Sequence, residues 1–234
     1  MKQRWLDLLF AHWRVPSETL REVVPPQVPI DEFDGSAWVG VTPFKVERLR
    51  ARGTPPVPGI SSFLETNVRT YTTIGGEPGI WFFSLDAENR SAVLAARRFY
   101  RLPYFLAEMS GTAGSAGDGR IEYSTERTSD DGPPAALEIE YSPTGPVGHA
   151  QPGTLDHFLT ERYCLYTLDG DGRVMRGDID HPPWPLQPAE AVVRRNTMGV
   201  QIGADLSGEP LLHFAGLQDV VFWPLKPADE PKPG

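Results

Sequence analysis

Apolar and polar positions alternate with a period of two over much of the chain, and the strands this predicts outnumber the helices. The clearest case is FLETNVRTYTT, residues 63–73. Alternation puts Glu65, Asn67, Arg69, Tyr71 and Thr73 on one face and Thr66, Val68, Thr70 and Thr72 on the other, ahead of a Gly-Gly turn. Residues 35–49, GSAWVGVTPFKVERL, are rich in strand formers, and GIWFFSL, residues 79–85, is apolar throughout, as in a strand buried on both faces. PYFLAEMSG, GRIEYSTERT and AALEIEYSP read as a meander, interrupted by a small-residue loop at 111–119. FLTERYCLY, residues 158–166, reads as a further strand, with Glu161 and Tyr163 on one face and Arg162, Cys164 and Tyr166 on the other. LLHFA and DVVFWPL close the chain as apolar strands.

Two segments break this rhythm. SETLREVVP, with Ser17 as N-cap and Pro25–Pro26 as stop, predicts a short helix. NRSAVLAARRFYRL predicts a longer one over about 91–101, with Val93, Leu94, Ala96 and Phe99 as its apolar set and Pro103 as its limit. The prolines of HPPWPLQP impose an extended crossing over the surface or the mouth of a sheet. The pattern is that of one mostly-β domain over residues 1–225, and the Pro- and charge-rich residues 226–234 read as a disordered tail.

Composition narrows the functional classes. A formal charge of −9 with no Lys/Arg run offers no footprint for nucleic acid or an anionic membrane, and no apolar stretch approaches membrane-spanning length. Asp7 interrupts the apolar run of MKQRWLDLLFAHW, which makes it a poor signal peptide, so a soluble cytoplasmic protein is expected. A single cysteine, Cys164, excludes an intrachain disulfide and reads as a core filler. The five histidines are scattered without metal-ligand spacing, DGDGRVMRGDID departs from a calcium loop at three positions and reads as a hairpin turn, and no phosphate-cradling glycine loop or serine-nucleophile elbow is present. No metal and no cofactor is expected. His181 and His213 stand as acid/base candidates, with a structural role the more common one for such residues.

The runs QRWLDLLFAHW, GSAWVGVTPF, FLETNVRTY, ARRFYRLPYF, LTERYCLY and HPPWPLQPAE resemble the YqjF-like family of functionally uncharacterised bacterial proteins over nearly the whole chain. More distantly, the order of the PSETLREVVP segment, a Glu-bearing strand and the RRFYRLP helix-to-strand junction is similar to the acetoacetate decarboxylase superfamily. That resemblance implies a closed or strongly curved β-barrel with an enclosed, partly polar lumen, and it implies Glu65 as a pocket carboxyl. In the decarboxylases the residue after the junction proline is the Schiff-base lysine; here it is Tyr104, followed by Phe105. A phenol forms no iminium. Of the four lysines only Lys45 lies outside the terminal segments, and its strand position reads as surface or rim.

The polar face of residues 63–73 either meets solvent or lines the lumen, and either face of 158–166 is open to the interior on the pattern alone. In the lumen reading Glu65 and Tyr104 are the catalytic candidates, Arg69 and Asn67 bind the ligand, and Glu161 and Tyr163 approach from the second strand, Glu161 as a partner for Arg69. Glu65 and Arg69, four residues apart on a strand, have Cα atoms roughly 13 Å apart and cannot form a simple local pair. Two functions follow: an acid/base or lyase-like enzyme without a Schiff base acting on a small organic acid or carbonyl compound, or a non-catalytic barrel binding such a metabolite. A surface-interaction protein would instead have a filled lumen. Further copies of the chain are an open option as partners.

Overall fold

The computed structural model describes residues 1–51, 53–56, 60–112 and 119–229. Its strands are β1 (Lys2–Val15), β2 (Ala37–Arg50), β3 (Phe63–Ile74), β4 (Glu77–Ala87), β5 (Tyr104–Gly111), β6 (Ile121–Arg127), β7 (Ala136–Pro143), β8 (Cys164–Leu168), β9 (Val174–Asp180), β10 (Gln187–Asn196), β11 (Leu211–Phe222) and β12 (Lys226–Pro227). The helices are α1 (Ser17–Arg21), α2 (Arg90–Tyr100) and α3 (Leu155–Thr160). The fold is mostly β, and its sheet is strongly curved.

The pairing order β12-β9-β8-β4-β3-β2-β1-β11-β10-β7-β6-β5 returns on itself twice, through β9–β11 and through β4–β5. Both returns share the wall β4-β3-β2-β1-β11. One face of that wall packs against β6, β7 and β10 through Leu9, Trp13, Val41, Val68, Tyr123 and Ile139 in a filled apolar core. The other face looks into the ring completed by β8 and β9, where Leu8, Phe10, Phe44 and Trp184 form a second core. A wall covered on both sides explains why β3 is buried from Glu65 through Thr72, its threonine face included. Thr66 Oγ1 donates to Tyr123 Oη (3.1 Å) and Thr70 Oγ1 to the Trp38 carbonyl (2.9 Å), while the buried Thr72 hydroxyl has no hydrogen-bond partner among the described residues.

Bulges set which residues face the ring. Asp7, at φ +52°, lies within a register shift between β1 and β2. The extra residue reverses the alternation, so Trp5 before it and Leu8 and Phe10 after it serve the same side. The Asp7 carbonyl accepts from Tyr141 Oη at 2.7 Å. A second shift, from Val68↔Ser84 to Arg69↔Phe82, leaves Phe83 unpaired, and Phe82 and Leu85 both face the ring although three apart in sequence.

Several expectations need correction. FLTERYCLY is not one strand: Thr154 caps α3 by accepting from the His157 N–H, the helix runs through Thr160, and β8 starts only at Cys164. Ser17 is the first residue of α1, with Pro16 at the cap position. On α2, Val93 and Ala96 turn inward as the pattern predicts, but Leu94 and Phe99 face solvent and Tyr100 takes their place on the inner side. The tail is ordered at its start: Lys226 and Pro227 pair with β9, Lys226 Nζ lies 2.6 Å from Asp178, and Arg173 reaches Asp229. Residues 230–234 and most of the 111–119 loop lie outside the described residues. DGDG is the β8–β9 hairpin turn. Among the described residues no helix is long and apolar enough to cross a membrane.

Candidate functional site

The ring encloses a cavity of about 50 Å³, larger than the space one water needs. β3 sends Glu65, Asn67 and Arg69 into it from one strand, because every second residue of β3 points the same way. Its remaining wall is chiefly aromatic and aliphatic, including Trp5, Phe82, Leu85, Tyr100, Trp184 and Phe222.

Tyr104 reaches the cavity because of how α2 ends. Arg101 adopts the left-handed conformation (φ 52°, ψ 32°) as C-cap, and Pro103, which has no N–H to extend the helix, offers its carbonyl to the Leu85 N–H (2.9 Å). β5 then starts at Tyr104, in parallel register with Leu85. Arg97 Nε donates to the Tyr104 carbonyl at 2.5 Å and Arg97 Nη1 meets Asp131 at 2.6 Å, fixing the backbone at the junction. Tyr104 Oη donates to Glu65 Oε2 at 2.9 Å. Burial raises the Glu65 carboxyl to about 8; the Tyr104 hydrogen bond opposes the rise and the nearby Asp86 charge adds to it. Burial and the Glu65 charge push the Tyr104 phenol well above its ordinary value, so it stays a donor at neutral pH.

Arg69 is 4% exposed. Its guanidinium carbon lies 5.1 Å from the Phe10 ring centroid and 5.9 Å from that of Tyr71. Tyr71 Oη is hydrogen-bonded to His12 Nε2 at 2.6 Å, and burial, with Arg69 adding to it, holds the His12 imidazole far below its ordinary value and therefore neutral. Gly40 makes this crowding feasible: a Cβ there would lie 3.1 Å from His12 Cδ2 and 3.3 Å from Arg69 Cγ. Among the described residues Arg69 has no carboxylate partner, and its Nε, like Asn67 Oδ1, is buried without a hydrogen bond. Arg162, also on the cavity wall, is neutralised: Nη1 meets Asp31 at 2.8 Å and Nε donates to the Phe158 carbonyl at 2.7 Å. Among the described residues the cavity therefore presents a guanidinium without a carboxylate partner, Arg69, and a carboxyl–phenol pair, with buried polar atoms lacking a hydrogen bond that a ligand or water would complete.

Glu65, Tyr104, Arg69 and Asn67 are thus brought to one cavity. Glu161 and Tyr163 are not on its wall. With residues 158–163 divided between a helix and a loop, Glu161 Oε1 accepts from the Trp184 N–H (3.0 Å) and Oε2 from Tyr163 Oη, while the Tyr163 ring stacks on His181 at 4.6 Å. Glu161 is occupied there and makes no ion pair with Arg69. His181 lines the cavity, with Nδ1 against the Pro182 carbonyl (2.8 Å) and Nε2 against that of Arg162 (3.4 Å); His213 pairs with Asp156 at 3.2 Å. Lys45 is off the cavity, paired with Glu47 at 2.7 Å. Alternation alone missed the contributions of Arg162, His12 and Trp184. A Thr-capped start at Thr154 was the one signal that would have separated Arg162 from the assumed strand.

The sequence pattern of the DUF2071 family, described as an uncharacterised conserved protein, matches residues 2–219. The uncharacterised protein YqjF of Bacillus subtilis (strain 168) is 46% identical over 227 residues, covering 97% of this chain and 91% of that protein. Among solved structures, the enduracididine biosynthesis enzyme MppR in complex with pyruvate has a TM-score of 0.65 at 15% identity, over 97% of this chain and 90% of its own. A structure of an acetoacetate decarboxylase gives 0.64 at 13%, over 97% and 88%. The acetoacetate decarboxylase of Legionella pneumophila gives 0.59 at 12%, over 94% and 85%. At these identities the likeness is one of fold.

Proposed function

Since the chain belongs to the DUF2071 family of uncharacterised conserved proteins, we propose from the site itself that it binds a carbonyl-bearing organic anion and transfers a proton on it without forming an imine. The observation that carries this reading is the pairing of Tyr104 Oη with Glu65 at 2.9 Å in a cavity that also holds an Arg69 lacking any carboxylate partner among the described residues. Arg69 supplies the fixed cation for a ligand carboxylate, in a setting where an unpaired guanidinium is otherwise unfavourable. Tyr104 has one O–H, held by Glu65 in the structure; with the ligand bound it turns to the ligand carbonyl and polarises it, leaving Glu65 to the adjacent carbon. Glu65, with its pKa near 8, is matched to exchanging a proton with the adjacent carbon near neutral pH. The position after the junction proline is a phenol and the cavity wall carries no lysine among the described residues, so a lysine Schiff base has no group to form it, and the Met1 ammonium on the wall is engaged with the Phe222 carbonyl at 2.7 Å.

Proton transfer is read by deuterium incorporation into the methyl group of pyruvate in D₂O, followed by proton NMR. The reading predicts exchange with the wild type, at least tenfold less with Glu65→Gln, and weaker pyruvate binding with Arg69→Gln. Binding without exchange would leave a non-catalytic binder, and no binding of any 2-oxo acid would remove the reading altogether.

A further inference from the structure

Beside the cavity runs an apolar groove of about 830 Å³ whose walls include Leu49, Ile60, Phe99, Trp223 and Leu225. Met1, Tyr100 and Phe222 line both spaces, so these residues form the partition between them. Large side chains stand open to solvent in the groove: Phe99 is 70% exposed, Ile60 41% and Trp223 36%. Several neighbouring exposed aromatic and aliphatic groups mark a surface that something apolar covers.

The two spaces have complementary chemistry. The cavity has, at Arg69, a cation without a carboxylate partner among the described residues but little volume, about 50 Å³; the groove has ample volume and a mostly apolar lining, with Arg50 its one charged side chain among the described residues and the Met1 ammonium on the partition donating to the Phe222 carbonyl at 2.7 Å. A short acid satisfies the first and leaves the second empty. We infer that the ligand is an amphiphilic carboxylate, its acid and carbonyl groups held at Arg69 and Tyr104 and its hydrocarbon tail passing the Met1–Tyr100–Phe222 partition into the groove. This rests on the proposed anion site and adds the class of acid that fills it. Tyr100 and Phe222 meet edge-on, with ring centroids 6.3 Å apart, so the partition here is a contact between two side chains and not a run of backbone.

The test is calorimetric titration of the full chain with straight-chain 2-oxo acids of three to ten carbons, below their micellar concentrations, at pH 7. Each buried methylene is expected to tighten binding about fourfold until the groove is filled. Phe99→Glu, at a position exposed enough to leave folding intact, should flatten the series beyond about six carbons while leaving the Kd of pyruvate unchanged. Arg69→Gln should weaken every member. Affinity independent of chain length, with pyruvate still bound, would overturn the tail assignment and leave the anion site standing; failure of all members to bind would overturn both. A dimer in light scattering that Phe99→Glu converts to monomer would assign the groove to a second copy of the chain and likewise overturn the tail.

Discussion

Replacing Glu65 by Gln removes a cavity carboxyl whose protonation changes near neutral pH, and the effect should be visible in stability without any ligand. Burial raises the folded-state pKa from 4.5 to about 8, so between those values the folded protein holds a proton that the unfolded chain has released. Stability from this group is fully present below about pH 4.5 and is lost as pH rises to about 8. At about 1.4 kcal/mol per pH unit the interval amounts to about 5 kcal/mol as a ceiling. That is a large share of the roughly 5–15 kcal/mol that holds a domain folded. Gln keeps the shape and can still accept from Tyr104 Oη, but it does not ionise. Urea unfolding followed by tryptophan fluorescence from pH 4.5 to pH 9 should therefore give nearly equal stabilities at the acidic end and an advantage for Glu65→Gln that grows to several kcal/mol at the alkaline end. Asp86, whose carboxyl burial lifts to about 6, acts in the same direction in both proteins and largely cancels. Parallel curves, or an advantage that shrinks as pH rises, would refute the buried-carboxyl account.

Three further substitutions and one reagent probe the frame of the site. Arg127→Met strands Asp86, which is fully buried and paired with Arg127 at 2.8 Å, and should cost about 3–5 kcal/mol at pH 7; a loss below 1 kcal/mol in chemical unfolding would argue against a tight pair. Gly79→Ala puts a Cβ 2.6 Å from Tyr166 and 2.9 Å from the Cys164 carbonyl, so β4 and β8 must part, with an expected loss of roughly 1–3 kcal/mol; an unchanged denaturation midpoint would contradict that packing. Gly40→Ala crowds His12 and Arg69 together and should weaken binding of 2-oxo acids severalfold in calorimetry while affecting stability less. The Cys164 thiol, buried and raised in pKa chiefly by that burial, should react with a disulfide reagent only as fast as the protein unfolds, and rapid labelling of the native state would refute its burial.

What was legible in the sequence was whatever alternation alone decides. The faces of β3 are those that a period of two assigns, since its sole bulge lies on the partner strand, and the α2-to-β5 junction follows from a proline that cannot continue a helix. What was not legible depends on contacts distant in sequence. The burial of Thr66, Thr70 and Thr72 comes from a second layer, β6–β7–β10, that no local pattern announces. Residues 158–163 look like a strand because Phe, Tyr and Thr favour one, yet the cap at Thr154 starts a helix and Glu161 is held by the backbone of Trp184. On α2 the apolar residues Val93, Leu94, Ala96 and Phe99 spread over more than one side of the helix, and packing against residues distant in sequence, such as Phe44 and Phe63, selects the side carrying Val93 and leaves Leu94 and Phe99 in solvent.

The most direct test of the central claim is an isotope-edited infrared difference spectrum of bound pyruvate labelled at its ketone carbon. If Tyr104 polarises the carbonyl and no amine attacks it, the C=O stretch of the bound ligand moves to lower frequency in the wild type, returns most of the way to its solution position in Tyr104→Phe, and no C=N band develops. A C=N band, or a carbonyl shift that Tyr104→Phe leaves unchanged, would contradict the account.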